Sequence, residues 1–318
     1  MIKIWDGLSG NLKKTFDSSN GGHSSSVQRL LSLPNNFLLS GSDDFTIKLW
    51  DITNQNLVET FDSTNGGHVG SVYNLILLEN GQIASSSYDA SIKIWDIATR
   101  KLKYTFNQFN GGHVNFVESL ALLENGNLAS GSSDGVIKIW DPYLGRLKFT
   151  FDQTNGGHTG DVTTLVSLND GYLASGSDDK TIRIWDITNG RLMNKLTSHT
   201  SRVDSLVYTD GRKLVSGAWD DRIKIWDPEN AQLLNTFDDK NGGHSGDVRS
   251  LVLLNNGFVA SCSYDKTIKI WDVEQGKLVF TFDQTQNGHT NFVRTLSVLS
   301  NGYLASGSYD NTVKIWQI

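Results

Sequence analysis

Tryptophan recurs along this chain at positions 5, 50, 95, 140, 185, 226, 271 and 316, a step of 45 residues broken once by a step of 41. Self-similarity at that length marks a repeated supersecondary unit, and it constrains the fold more than any local propensity does. The pattern is fullest in residues 153–186, QTNGGHTGDVTTLVSLNDGYLASGSDDKTIRIWD. Seven complete units run from a histidine to a tryptophan: His23–Trp50, His68–Trp95, His113–Trp140, His158–Trp185, His199–Trp226, His244–Trp271 and His289–Trp316. In each the histidine stands 27 residues before the tryptophan, including the unit whose preceding loop is four residues shorter. A spacing that survives a deletion next door marks a constraint inside the unit.

Each unit reads as four short strands. In the second, SVYNLILL is an apolar strand, Asn80-Gly81 a two-residue turn, and QIASSS the returning strand. Asn125-Gly126, Asp170-Gly171, Asp210-Gly211, Asn256-Gly257 and Asn301-Gly302 repeat the turn, with residues that tolerate the positive φ of tight hairpins. A second turn centred on Asp89 leads into SIKIWD, and KLKYTF follows. The strands do not alternate between apolar and polar, as expected when both faces are packed. No helix signal of any length interrupts them. Four antiparallel strands repeated radially make a propeller blade. Each unit can bury its faces only against its neighbours, so residues 1–318 are expected to form a single domain.

Composition excludes several functions. With 28 basic against 34 acidic residues, the formal net charge is −6, which argues against a nucleic-acid backbone as partner. The single cysteine, Cys262, permits no internal disulfide and fits a reducing, cytoplasmic setting. The opening MIKIWDGLSG is too polar for a secretory signal, and no apolar run reaches membrane-spanning length.

The Gly-His start, the Trp-Asp end and their spacing resemble the WD40 repeat family, over the whole chain. The resemblance implies an all-β, seven-bladed propeller with four antiparallel strands per blade, shut by an N-terminal strand pairing with the C-terminal blade. Residues 11–16 (NLKKTF) would be that closing strand, beside TVKIW (312–316). Residues 1–6 are then surplus, or compete with 312–318 for one place. A chain that opens inside a repeat also suggests a fragment of a larger protein.

Every histidine belongs to a recurring set with a serine ten residues, and an aspartate six residues, before the tryptophan. The sets are His23, Ser40, Asp44, Trp50; His68, Ser85, Asp89, Trp95; His113, Ser130, Asp134, Trp140; and His158, Ser175, Asp179, Trp185. The remainder are His199, Ser216, Asp220, Trp226; His244, Ser261, Asp265, Trp271; and His289, Ser306, Asp310, Trp316. Serine, histidine and aspartate together invite a hydrolase reading, but catalysis needs one activated nucleophile in a pocket, not seven identical sets. In the family these residues resemble a buried hydrogen-bonded tetrad: Asp to His, His to Ser, Ser to the indole. GSSDG (131–135) matches a nucleophile elbow by chance, since it sits between two strands rather than before a helix. The DxxNGG loops read as capped turns rather than calcium loops. Cys262 reads as a small buried thiol. No catalytic, metal or cofactor residue is assigned.

Variation between units is more informative. In the family, three positions per blade project from the top face; here they resemble the third and fifth residues after each His and the residue before each tetrad Asp. Among them stand Tyr73, Tyr88, Phe116, Arg202, Asp204, Trp219, Asp247, Arg249, Tyr264, Phe292, Arg294 and Tyr309. Arginines and aromatics, the residue types of binding hot spots, concentrate on the last three blades. The expectation is a non-catalytic platform binding a protein or peptide ligand there, through an acidic or apolar anchor. Asp204 and Asp247 sit among the arginines, and pairing would weaken the acidic preference. The expected state is a monomer, touching neither nucleic acid nor membrane. The alternative is a structural scaffold that forms oligomers by strand exchange through residues 1–6.

Overall fold

A computed structural model describes residues 1–5, 12–299 and 301–318. Among them the regular structure is all strand apart from eight three-residue 3-10 turns. Blade one consists of Val27–Leu33, Phe37–Ser42, Ile47–Asp51 and Asn56–Phe61, hydrogen-bonded antiparallel in sequence order. Five more four-stranded sheets of the same order span 72–106, 117–151, 162–197, 203–237 and 248–282. The seventh holds Val293–Val298, Leu304–Ser308 and Val313–Trp316. These are the blades of an all-β, seven-bladed propeller. The chain divides into two compact units, Met1–Thr150 and Phe151–Ile318.

Packing explains why isoleucine and tryptophan dominate the third strands. In 92–95 every residue is buried, because the sheet is covered on both sides. The indole of each blade is roofed by a phenylalanine from the fourth strand before it: Phe61 on Trp95 and Phe106 on Trp140 in the first unit, with ring centroids 5.0 and 4.4 Å apart. In the second unit Phe151 lies on Trp185, Phe237 on Trp271 and Phe282 on Trp316. Where the loop is shortened, Leu196 takes the phenylalanine's place in the cluster around Trp226. Burying side chains of this size contributes roughly 1.5–3 kcal/mol each.

At the N-terminus Leu12–Phe16, expected as the closing strand, pairs antiparallel with Ile2–Trp5, through Ile2↔Phe16 and Ile4↔Lys14. A hairpin partner a few residues away closes at far less entropic cost than one at the other end of the chain. This hairpin repeats the third and fourth strands of a unit, and Ile2 and Phe16 bury against Trp50 as their counterparts do elsewhere. The residues 2–5 are therefore not surplus. Asp6 and Asn11, which the sequence reading assigns to these strands, lie outside the described residues.

The Asn-Gly turns also differ from the two-residue reading. In blade two the Leu78 and Gln82 backbones pair around three residues, 79–81, and only Gly81 is left-handed. This is a type I turn closed by a glycine bulge. In blade five the positive φ falls on Arg212 rather than Gly211.

The DxxNGG loops are capped turns, as expected. In the loop before blade two, Asp62 caps Ser63–Asn65 by accepting from Thr64 N–H, while Asn65 returns a bond to the Asp62 backbone. Gly67 completes the turn by approaching so closely that a Cβ there would lie 2.5 Å from the Asp62 carbonyl.

Candidate protein-binding site

The seven sets of His, Ser, Asp and Trp form the hydrogen-bonded tetrads. In blade four, His158 Nδ1 lies 2.9 Å from the Asp179 carboxylate, His158 Nε2 2.7 Å from Ser175 Oγ, and Trp185 Nε1 donates to the same Oγ at 2.8 Å. Burial pushes the His158 imidazole below its usual pKa, against the opposing pull of Asp179. The ring is therefore neutral, with its proton on Nδ1 facing the carboxylate and Nε2 accepting from the serine hydroxyl. Burial alone would raise Asp179, but the bonds from His158, Thr181 and the Thr159 N–H hold it well below the ordinary carboxylate range. Ser175 is fully buried, so its hydroxyl meets no substrate.

The tetrads position the loops that carry the variable residues. The Asp179 carboxylate also accepts from Thr159 N–H, tying the segment before the first strand to the turn between the second and third. A backbone bond fastens the same two segments in each blade, as from Trp219 N–H to Arg202 C=O, Tyr264 to Asp247 and Tyr309 to Phe292. The third residue after each His is thereby held beside the residue before each tetrad Asp.

In the second unit this register assembles a continuous stack. The Arg202 guanidinium lies 5.3 Å from the Trp219 ring centroid. On Trp219 and Tyr264 alike rests the guanidinium of Arg249, at 4.7 and 4.9 Å. Tyr264 stacks on Phe292 at 4.6 Å and meets Tyr309 edge-on at 6.2 Å. Asp204 bridges both arginines, 3.1 Å from Arg202 and 3.2 Å from Arg249. Asp247 makes no ion pair with a described residue; burial and the nearby Asp204 charge raise its carboxyl. Burial and the neighbouring Tyr309 raise the Tyr264 phenol. The Arg249 side chain is 7 % exposed, and its Nε has no hydrogen-bond partner among the described residues. Arg294 is half-buried and pairs with no described residue. What the stack offers to solvent is Trp219 at 38 %, Phe292 at 41 % and Tyr309 at 55 % exposure.

Tyr73, Tyr88 and Phe116 form a separate stack in the first unit, with centroid spacings of 5.5 and 4.4 Å. Tyr88 and Phe116 border an open cleft of about 450 Å³ whose other walls include Val69, Phe109 and Val114. Sequence reasoning missed these three, because they lie outside the positions weighed blade by blade. A signal was there: Phe109 stands where other loops carry Ser19, Thr64, Thr154, Lys240 and Thr285.

A propeller whose blades are each locked by such a tetrad defines the class. The family described as WD domain, G-beta repeat matches residues 10–51, 56–96, 100–141, 146–186, 190–227, 232–272 and 276–317. The chain belongs to the WD40 family, whose propellers generally act as protein-interaction platforms and are generally non-catalytic. It is similar to a crystal structure of the computationally designed Ika8 protein, with a TM-score of 0.82 and 31 % identity over 99 % of this chain and 90 % of that one. No match is found among curated proteins. No helix is long and apolar enough to cross a membrane, among the described residues.

Proposed function

We propose that this protein is a non-catalytic platform whose fifth to seventh blades bind a loop or extended peptide of a partner protein through the Arg–aromatic stack. The observation that carries this reading is the stack itself: six side chains from three blades, guanidinium on ring and ring on ring, with Trp219, Phe292 and Tyr309 open to solvent. Aromatics of this kind offer large area at low entropic cost. Because Arg202 and Arg249 already share Asp204, the preferred anchor is apolar. An acidic residue beside it is recognised by Arg294, which pairs with no described residue.

Peptides selected from a displayed library on the wild-type protein supply the test. Trp219→Ala and Tyr309→Ala are expected to weaken them at least about 30-fold, the scale of a hot spot. Arg294→Ala should act only on peptides with an acidic residue next to the anchor. Unchanged affinity in all three folded variants would place binding elsewhere.

A further inference from the structure

The cleft in the first unit departs from its repeats in two linked ways. Lys93 lines its floor, only 9 % exposed, with Nζ 3.3 Å from Thr105 Oγ1. The same lysine–threonine pair recurs as Lys48–Thr60, Lys224–Thr236 and Lys269–Thr281. Each of those three ammonium groups lies in the field of two carboxylates: Asp44 and Asp62, Asp220 and Asp238, Asp265 and Asp283. For Lys93 only Asp89 remains among the described residues, since Asn107 occupies the position of Asp62. The fold does not require that exchange. Asn107 still caps the turn, accepting from Phe109 N–H at 3.1 Å, and asparagine and aspartate cap equally well. Beside it, Phe109 replaces the hydroxyl residue that elsewhere bonds the capping carboxylate, as Thr64 bonds Asp62.

The result is a half-compensated cation beneath an apolar rim. Phe109 is 89 % exposed, Val114 71 % and Val69 69 %, and with Phe116 and Tyr88 they surround the opening. A contiguous exposed apolar patch is uncommon and marks a contact surface. A charged partner group is worth most where surrounding apolar atoms exclude water from the pair. Charge and rim together specify one occupant.

We propose that this cleft binds a partner peptide segment in which a carboxylate side chain lies beside an aliphatic or aromatic one. The carboxylate approaches Lys93 from the open side of the cleft, beside the Asn107 side chain that caps the turn, and supplies the second negative charge that Asp62, Asp238 and Asp283 give their lysines; the apolar neighbour packs on Phe109 and Val114. The site shares no residue with the Arg–aromatic stack, and neither reading depends on the other.

The test uses the full chain and fluorescein-labelled, Gly-Ser-flanked peptides with a central Leu-Glu-Leu or Phe-Glu-Phe, read by anisotropy. The matched Gln peptides and a Gly-Glu-Gly peptide serve as controls. Asn107→Asp and Phe109→Thr install residues that other loops already carry, so both are expected to fold, as melting curves check. The acidic apolar peptides are expected to bind the wild type and to bind each variant at least about tenfold more weakly, a loss of about 1.4 kcal/mol. In a Trp219→Ala/Arg249→Ala/Tyr264→Ala background, which removes any binding by the stack and is checked for folding by the same melting curves, the component lost on Asn107→Asp and Phe109→Thr should persist. The proposal is overturned if no peptide binds at millimolar concentration, or if the Gln series binds equally. It is equally overturned if Asn107→Asp is silent, or if only the triple variant loses binding.

Discussion

At the scale of the residue, the tetrad shows how a polar cluster can be buried without becoming reactive. Ser175 satisfies Trp185 and His158 together, so its loss strands two buried polar nitrogens. Ser175→Ala is expected to cost about 1–3 kcal/mol, measured by urea unfolding, with no effect on peptide binding. A cost below a few tenths would mean that the hydroxyl contributes packing alone. These sets were legible in sequence because the same residues recur at fixed separations seven times, and catalysis has no use for seven copies. The hot-spot residues were legible only as types at positions. That Asp204 would hold two arginines, with Arg294 paired to no described residue, depends on rotamers that spacing does not encode.

At the scale of the element, blade four departs from its neighbours on one face. Its third strand carries Arg183 where other blades have lysine, and its register places Lys195 opposite, where the others have threonine. Two cations face each other, which destabilises a strand pair. The buried Arg183 keeps an ion pair with Asp179, yet its Nε and Nη1 lack hydrogen-bond partners among the described residues. The shortened loop after this strand also lacks a capping aspartate. Arg183→Lys combined with Lys195→Thr restores the pair seen at Lys48–Thr60. The double variant is expected to raise the urea midpoint by about 1 kcal/mol of stability, and a fall would show that the arginine is held by contacts beyond hydrogen bonds. Strand order and blade count followed directly from the period. The pairing of Ile2–Trp5 with Leu12–Phe16 did not, because IKIW and TVKIW are equivalent as sequence. Turn detail was also hidden: Asn80-Gly81 and Asp210-Gly211 look alike, but the left-handed residue is Gly81 in one and Arg212 in the other.

At the scale of the whole molecule, the repeated tetrads add up in their response to pH. Burial lowers the imidazoles of His68, His113, His158, His199 and His244, so the unfolded chain takes up protons there first as pH falls below about 6.5. The tetrad carboxylates, from Asp44 to Asp310, are held low by their hydrogen bonds against the opposing effect of burial. The unfolded chain binds protons there too, near its ordinary carboxylate pKa of about 3.9. Both shifts have the same sign: stability is full above neutrality and is lost as pH falls through each range. Asp221 and Asp247, raised by burial and by neighbouring carboxylates, act the other way. Urea midpoints are expected to drop from pH 7 to pH 5 and more steeply below pH 4. A midpoint constant between pH 7 and pH 5 would mean that the histidines titrate alike in the folded and unfolded chain.

The tetrads have one further consequence, and it is optical. Trp50, Trp95, Trp140, Trp185, Trp226, Trp271 and Trp316 are all buried, each with its indole N–H donating to a serine hydroxyl. Seven fluorophores in near-identical dry surroundings emit toward the blue. Trp219, part-exposed between two guanidinium groups, emits toward the red and is open to acrylamide. In a Trp5→Phe background the quenchable red edge of the spectrum is therefore its signal. The protein carries its own dye at the place where a partner is proposed to dock.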